Sequence, residues 1–206
     1  MNRPQQSSPN PVSPNPVSTV TVWDPLVRIF HWSLVLFFII AFITEDDWLY
    51  LHSFAGYSIT GLLIFRILWG LIGTRYARFS SFITTPSGVK EYLQSLLKGR
   101  PKHYLGHNPA GGVMIVVLLV VLLLTAFSGI ATLATEGLGP LANTFFASWS
   151  EDWLEEIHEV LANFSMLLVI VHVAGVIISS FAHKENLVKA MITGRKAPQT
   201  GESNHE

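Results

Sequence analysis

The stretch EIHEVLANFSMLLVIVHVAGVIISSFA, residues 156–182, decides the fold. It is mostly apolar and exceeds the roughly 20 residues that a helix needs to cross a membrane. It also contains His158 and His172, which are 14 residues apart. At about 3.6 residues per turn this is nearly four turns, so both imidazoles leave one face of the helix, roughly 21 Å apart along its axis. The stretch therefore predicts a membrane-spanning helix that carries two potential metal ligands.

Three further stretches, residues 25–43, 52–72 and 109–133, are apolar over about the length of a membrane span. Half of the 206 residues are hydrophobic and only 13% are charged, whereas soluble domains carry about 25% charged residues. The sequence therefore predicts an all-α, integral-membrane four-helix bundle within residues 20–183.

Local signals indicate where some of the helices begin. Asp24 precedes Pro25 and Asn108 precedes Pro109, and a capping side chain before a proline at the first helical position is typical of a helix start. Between the second and third spans, residues 87–97 have an amphipathic pattern. This segment is predicted to lie along the membrane surface or, equally, to be a plain loop helix.

Charged residues outside the spans separate into two sets. Twelve cations lie in the amino-terminal segment, the 73–108 loop and the segment after residue 182: Arg3, Arg28, Arg75, Arg78, Lys90, Lys98, Arg100, Lys102, Lys184, Lys189, Arg195 and Lys196. The other two loops have none and, with the start of the fourth span, carry nine carboxylates: Glu45, Asp46, Asp47, Glu136, Glu151, Asp152, Glu155, Glu156 and Glu159. The positive-inside rule therefore predicts that both termini are cytoplasmic.

The two ends of the chain are predicted to be tails outside the bundle. Residues 1–19 are rich in Pro, Ser and Asn and repeat the sequence PNPVS, so we expect a disordered segment. It has no apolar core of the kind found in cleavable signal peptides. Residues 184–206 are predicted to be a basic cytoplasmic tail.

Composition excludes several kinds of site. There is no cysteine, so disulfides, thiolate-ligated metals, iron–sulfur clusters and covalently attached heme are excluded. Any metal or heme must therefore be held by histidine. The net charge of −1 is so nearly balanced that it gives no information about nucleic-acid or anionic partners, and no nucleic-acid partner is expected.

Four of the eight histidines lie at two matched depths. His31 and His172 lie toward the cytoplasmic side, whereas His52 and His158 lie near the outer ends of their spans. These pairs predict two b-type hemes, each held non-covalently by two imidazoles, and such ligation leaves no open iron position. A lone histidine would more often be an interfacial or interhelical hydrogen-bonding residue.

Arg66 is the one cation in the interior of a predicted span, away from its ends, at the depth of the cytoplasmic pair. Intramembrane charge is usually paired, so its expected partner is a heme propionate or a quinone carbonyl; the alternative is snorkelling toward the cytoplasm. His107 could contact quinone or relay a proton, although ligation by it is not expected. The other histidines are expected to have no such role: His103, His183 and His205.

Small residues flank the predicted ligands. They could let a flat macrocycle approach the helix backbone, or they could serve ordinary helix packing, for which membrane proteins also prefer small residues. These residues are Ala55, Gly56, Ala174 and Gly175.

Taken together, these residues resemble the prokaryotic cytochrome b561 family, which is related to the b-type cytochrome subunits of nickel–iron hydrogenases. The similarity covers roughly residues 22–196 and is carried by VWDPLVRIFHW (22–32), LHSFAGYSITGLLIFRILWGLIGTRYARF (51–79), GHNPAGG (106–112), EIHEVLANF (156–164), VHVAGV (171–176) and HKENLVKAMITGRK (183–196). The resemblance implies a four-helix bundle with two b hemes, with His31, His52, His158 and His172 as ligands. It also implies a membrane quinone as electron donor or acceptor.

The expected function is transmembrane electron transfer in a bacterial inner membrane, as part of a respiratory chain. Electrons would pass between the quinone pool and a redox partner outside. The acidic outer face should steer a basic partner, such as a soluble cytochrome c.

Three alternatives remain. One is a superoxide:quinone oxidoreductase, which the acidic outer face disfavours because superoxide is an anion. Another is a membrane-anchor subunit of a hydrogenase or other reductase. The third is a four-helix scaffold or carrier without heme.

Overall fold

The computed structural model describes residues 19–45, 48–99, 104 and 106–196. Four long helices dominate it, with two short helices, two 3-10 turns and one pair of two-residue strands. In chain order these are β1 (Val20–Thr21), α1 (Pro25–Ile43), α2 (Leu49–Ile72), the turn Phe79–Ser81, α3 (Pro86–Leu97), α4 (Pro109–Thr135), the turn Phe145–Ser148, α5 (Glu151–His183), α6 (Leu187–Thr193) and β2 (Arg195–Lys196).

The predicted all-α membrane bundle is confirmed, because α1, α2, α4 and α5 are each long and apolar enough to cross a membrane. Two of them begin earlier than predicted, α2 at Leu49 and α5 at Glu151. In α5 the extra turn carries Glu151 and Asp152, and acidic residues in a first helical turn interact favourably with the helix dipole. A helix can therefore continue beyond the apolar stretch that predicts it.

The predicted helix starts are also observed. Asp24 accepts a hydrogen bond from the backbone N–H of Val27 at 2.9 Å. Asn108 accepts one from the backbone N–H of Gly111 at 2.7 Å. Each capping side chain satisfies a backbone donor that has no partner inside its helix.

The outer surface of the bundle is apolar, as a bilayer requires. Ile43, Leu71 and Phe181 are exposed on three different long helices. Exposed aromatic residues are prominent around the 44–48 and 136–150 loops, as in the aromatic belts at membrane interfaces: Trp48, Tyr50, Phe145, Trp149 and Trp153.

The four long helices pack unevenly. α1 packs on α2, α2 on α4, and α4 along α5. Ile59 and Leu63 of α2 meet Leu119 and Leu122 of α4 in the buried core. Over their described lengths, α5 makes at most a few close backbone approaches to α1 and α2. This leaves space between α5 and the α1–α2 pair.

One end of the bundle, which we call the terminal end, is capped by the two ends of the described chain. β1 pairs antiparallel with β2, with Val20 opposite Lys196. The backbone N–H groups of Val22 and Trp23 both donate to the carbonyl oxygen of Gly194, at 2.9 and 3.1 Å. Part of the segment predicted as a tail is thus folded against the start of the chain. The opposite end, with the 44–48 and 136–150 loops, we call the loop end.

Candidate functional site

The structure brings His52 and His158 together at the loop end. Their ring centres are 6.0 Å apart and the rings are nearly perpendicular, at 85°. An imidazole nitrogen lies about 2 Å from the metal that it binds, and its ring centre lies about 1 Å further, so two imidazoles on one metal have ring centres roughly 6 Å apart. The observed spacing is therefore compatible with two ligands of a single metal atom, and it is also within the range of ordinary edge-to-face ring contacts.

Hydrogen bonds set the protonation of both rings. Nδ1 of His52 is 2.9 Å from the carbonyl oxygen of Ala41. Nδ1 of His158 is 3.0 Å from the carbonyl oxygen of Thr125 and 3.0 Å from Oγ of Ser128. Since a carbonyl only accepts, Nδ1 carries a proton in each ring, and in a neutral imidazole this tautomer leaves the lone pair on Nε2. Metal-bound histidines are oriented in this way.

Two cavities border this histidine pair, with volumes of about 440 and 230 Å³. Both are lined by His52, Gly56, Ala126 and His158. A Cβ atom at Gly56 would meet nothing within 4 Å, so this residue faces open space. A flat ligand between the two rings could extend into both cavities.

Carboxylates surround these cavities. Five glutamates line one cavity or both: Glu45, Glu136, Glu151, Glu155 and Glu159. None of the described residues that line them is lysine or arginine. The loop-end site is therefore strongly acidic.

The other predicted pair lies toward the terminal end. His31 of α1 and His172 of α5 are close enough to interact electrostatically. The Nδ1 atom of His31 is buried and has no hydrogen-bond partner among the described residues. Its ring contacts Trp32 edge to face, with 5.2 Å between centres.

Arg66 is buried at the terminal end, with only 3% of its surface exposed, and so does not extend to solvent. Its guanidinium lies over the Phe79 ring, 4.9 Å from the centre. Its Nη1 atom is buried without a partner among the described residues, as are Nε of Arg28 and Nδ1 of His107. Unpaired buried donors are costly, so the enclosed arginine nitrogen atoms suit an anionic or carbonyl ligand.

His107, just before α4, sits between aromatic rings. Its ring centre is 4.4 Å from that of Trp23 and 4.8 Å from that of Phe82. Burial, followed by the positive charges of Arg66 and Lys196, lowers the pKa of His107 to about 3. The ring is therefore neutral at physiological pH.

Asp24 ties the start of α1 to the end of α2. Besides capping α1, it accepts hydrogen bonds from the Thr74 hydroxyl at 2.6 Å and from Trp69 Nε1 at 3.2 Å. Partial burial raises the pKa of Asp24, but the hydrogen bonds from Thr74, the backbone and Trp69 outweigh it and lower the pKa below its usual value. The residue stays ionised in the folded protein at neutral pH.

The residues of α4 that support His158 were not predicted from the sequence. These are Thr125 and Ser128, described above, and Gly129, where an added Cβ would lie 2.8 Å from Cε1 of His158. Thr125 Oγ1 also lies 3.0 Å from Oγ of the buried Ser165 on α5. Within α4, Ser128 and Gly129 follow Thr125 by three and four residues, so the three residues lie on one helix face. This spacing is the sequence signal from which the supporting face could have been predicted.

Comparisons with known proteins agree with these features. A model of the family described as prokaryotic cytochrome b561 matches residues 22–194. A protein of Rhizobium leguminosarum bv. viciae described as a probable Ni/Fe-hydrogenase B-type cytochrome subunit is 28% identical over 163 residues, which cover 71% of this chain and 67% of the relative. A protein of Azotobacter vinelandii with the same description is 24% identical over 216 residues, with coverages of 86% and 88%. No solved structure gives a significant match.

Proposed function

The chain belongs to the prokaryotic cytochrome b561 family, and we propose that it moves single electrons across the membrane through two b-type hemes, between the quinone pool and a redox partner outside. The family establishes a membrane protein that binds b-type heme and serves electron transfer. One observation above all supports the finer proposal. His52 and His158 have a spacing compatible with two ligands to one metal and border cavities on the same side of the bundle.

The residues present fit heme at both levels. At the loop end, His52 and His158 hold their protons on Nδ1 and offer Nε2, beside a glycine that faces open space. At the terminal end, His31 and His172 are the proposed ligands, and the unpaired Nη1 of Arg66 suits a carboxylate such as a propionate. Heme iron held by two imidazoles exchanges one electron and has no open position for oxygen.

The positions of the proposed ligands suit electron transfer across the bilayer. His158 and His172 lie on one helix, roughly 21 Å apart by helical rise. The charge distribution along the sequence supports a cytoplasmic terminal end and an outward-facing loop end in a bacterial inner membrane. The proposed direction of passage is therefore along the length of α5.

The loop end suits a basic partner. The five glutamates around the cavities would attract a positively charged redox protein, such as a basic cytochrome c, at low ionic strength. If basic and acidic cytochromes exchange electrons with the protein at equal, salt-independent rates, this part of the proposal is wrong.

A second candidate function is that of a membrane-anchor subunit of a hydrogenase, because both relatives are described as probable Ni/Fe-hydrogenase B-type cytochrome subunits. The same residues would then deliver electrons to or from an enzyme bound at one face. A stable larger complex after purification in mild detergent would favour it over a freely diffusing partner.

Ligation is tested by replacing each proposed ligand with alanine. His31→Ala, His52→Ala, His158→Ala and His172→Ala should each lose about half of the low-spin heme in reduced-minus-oxidised spectra of purified protein. His183→Ala is the control, since its Nδ1 lies 2.9 Å from the Ser179 carbonyl oxygen of its own helix.

The control variant should keep the full signal. Loss of low-spin heme in fewer than two of the four variants would refute the paired ligation. Absence of any heme spectrum in the wild type would instead favour the scaffold without heme.

A further inference from the structure

The two ends of the bundle differ in charge in a way that bears on the proposed heme sites. Three cations contribute at the terminal end: Arg66 and Lys196 are buried, and Arg28 is partly buried with its Nε atom enclosed. The nearby carboxylates are Asp24 and Glu185. Lys196 is 3.2 Å from Glu185, and Asp24 already accepts hydrogen bonds from Thr74 and Trp69. With His107 neutral, three cations face two carboxylates, and the terminal end has a positive surplus.

At the loop end the balance is reversed. Five glutamates line the cavities beside His52 and His158, and no lysine or arginine is among the described residues that line them. The sequence of the 44–48 and 136–150 loops also has no cation. Any group bound between His52 and His158 therefore sits in a negative field.

Hydrogen bonding of the ligands adds to this difference. The Nδ1–H group of His52 donates to the Ala41 carbonyl, and that of His158 to the Thr125 carbonyl. Such bonds make an imidazole a stronger electron donor to the metal, and this favours the oxidised iron. The Nδ1 atom of His31 has no such partner among the described residues.

Reduction adds one negative charge to a heme. Cations nearby favour the reduced form, whereas carboxylates and basic ligands favour the oxidised form. A single charge about 10 Å away, at an effective dielectric constant of about 20, changes the ratio of reduced to oxidised iron by roughly tenfold, which corresponds to about 59 mV for one electron. Because several charges of opposite sign lie at the two ends, the reduction potentials of the two heme sites should differ by at least this amount.

We propose that the heme site at His31 and His172 has the higher reduction potential and the site at His52 and His158 the lower. The inference rests on the proposed function, since it presumes a heme at each pair. With a heme bound at each pair, the loop-end iron would be oxidised from ferrous to ferric, and its electron would reduce the terminal-end iron from ferric to ferrous. With the proposed topology, the favoured direction is from the outer face toward the cytoplasmic face.

The test is an optical redox titration of the purified full-length protein and of two single-heme variants. His172→Ala leaves the loop-end site and His158→Ala leaves the terminal-end site, so each potential is assigned to one end. We expect the terminal-end heme to be at least tenfold more reduced than the loop-end heme at any given ambient potential between the two. Equal potentials or the reverse order would overturn the inference.

Charge variants then identify the residues responsible. Arg66→Gln should lower the potential of the terminal-end heme only, and Arg66→Lys should restore it. Glu155→Gln should raise the potential of the loop-end heme only. If neither change moves a potential, the electrostatic explanation is wrong.

Failure of this inference can be told apart from failure of the proposed function. A wild-type protein without two low-spin hemes contradicts the proposed function. Two hemes in the wrong order contradict only the inference. If Arg66→Gln fails to bind heme, the order of potentials in the wild type still decides.

Discussion

Replacing Gly129 by alanine should selectively damage the loop-end heme site. An added Cβ would lie 2.8 Å from Cε1 of His158, whereas ordinary contacts begin at 3.4 Å. The His158 ring, or α4 itself, must therefore move by about 0.6 Å, while metal–ligand distances tolerate only about 0.2 Å. A shift of this size away from α4 also lengthens the 3.0 Å hydrogen bond to the Thr125 carbonyl beyond the normal range.

We expect Gly129→Ala to lose most of the low-spin signal of the loop-end heme and to keep that of the terminal-end heme. Overpacking of this kind costs about 1–3 kcal/mol, which would also lower the thermal midpoint in detergent. The measurements are heme per protein and the low-spin electron paramagnetic resonance spectrum.

Gly61→Ala is the matched control, because a Cβ at Gly61 would meet nothing within 4 Å. Replacing a glycine inside a helix with alanine should stabilise α2 by about 0.5–1 kcal/mol and leave both hemes intact. If Gly129→Ala retains two low-spin hemes in the wild-type ratio, the close approach of Gly129 to His158 does not constrain ligation and the reasoning fails.

Three further predictions concern the terminal end. Gly70→Ala should disturb Arg66 and lower the terminal-end heme content, since a Cβ at Gly70 would overlap the Phe79 ring; unchanged heme content would contradict this. Asp24→Ala should lower the free energy of unfolding by about 1 kcal/mol, because the helix cap is lost. The folded state lowers the pKa of Asp24, so the stabilisation by the ionised carboxylate is present above about pH 4 and disappears on further acidification. The pKa of His107 is lowered to about 3 in the folded protein, so on acidification the imidazole is protonated in the unfolded chain at a higher pH than in the folded one. Thermal stability should therefore fall as the pH drops below about 6.5. His107→Phe should reduce this dependence of thermal stability on pH.

Several features of the fold could be read locally. Asp24 and Asn108 cap helices because a side-chain acceptor next to a proline satisfies backbone donors within three residues. The four spans follow from apolar length alone. The early starts of α2 and α5 could not be read in this way, because hydrophobicity marks where the bilayer begins and not where a helix begins.

The pairing of β1 with β2 could not be predicted from a local sequence pattern. Two strands of two residues each have no periodicity, and Val20 and Lys196 are separated by nearly the whole described chain. Their pairing depends on α1 and α5 returning to the same end of the bundle. Such contacts between distant residues are set by packing and not by local propensity.

The amino-acid sequence by itself determined the membrane class, the four helices and the common face of His158 and His172, because length, hydropathy and helical period are properties of one segment. Only the tertiary structure decided that His52 stands 6.0 Å from His158, that Gly129 presses against the His158 ring and that Arg66 is buried. These relations depend on how each helix is rotated and how closely it approaches its neighbour. Every residue has a carbonyl, so no sequence pattern could single out those of Ala41 and Thr125 as the acceptors that orient the proposed ligands.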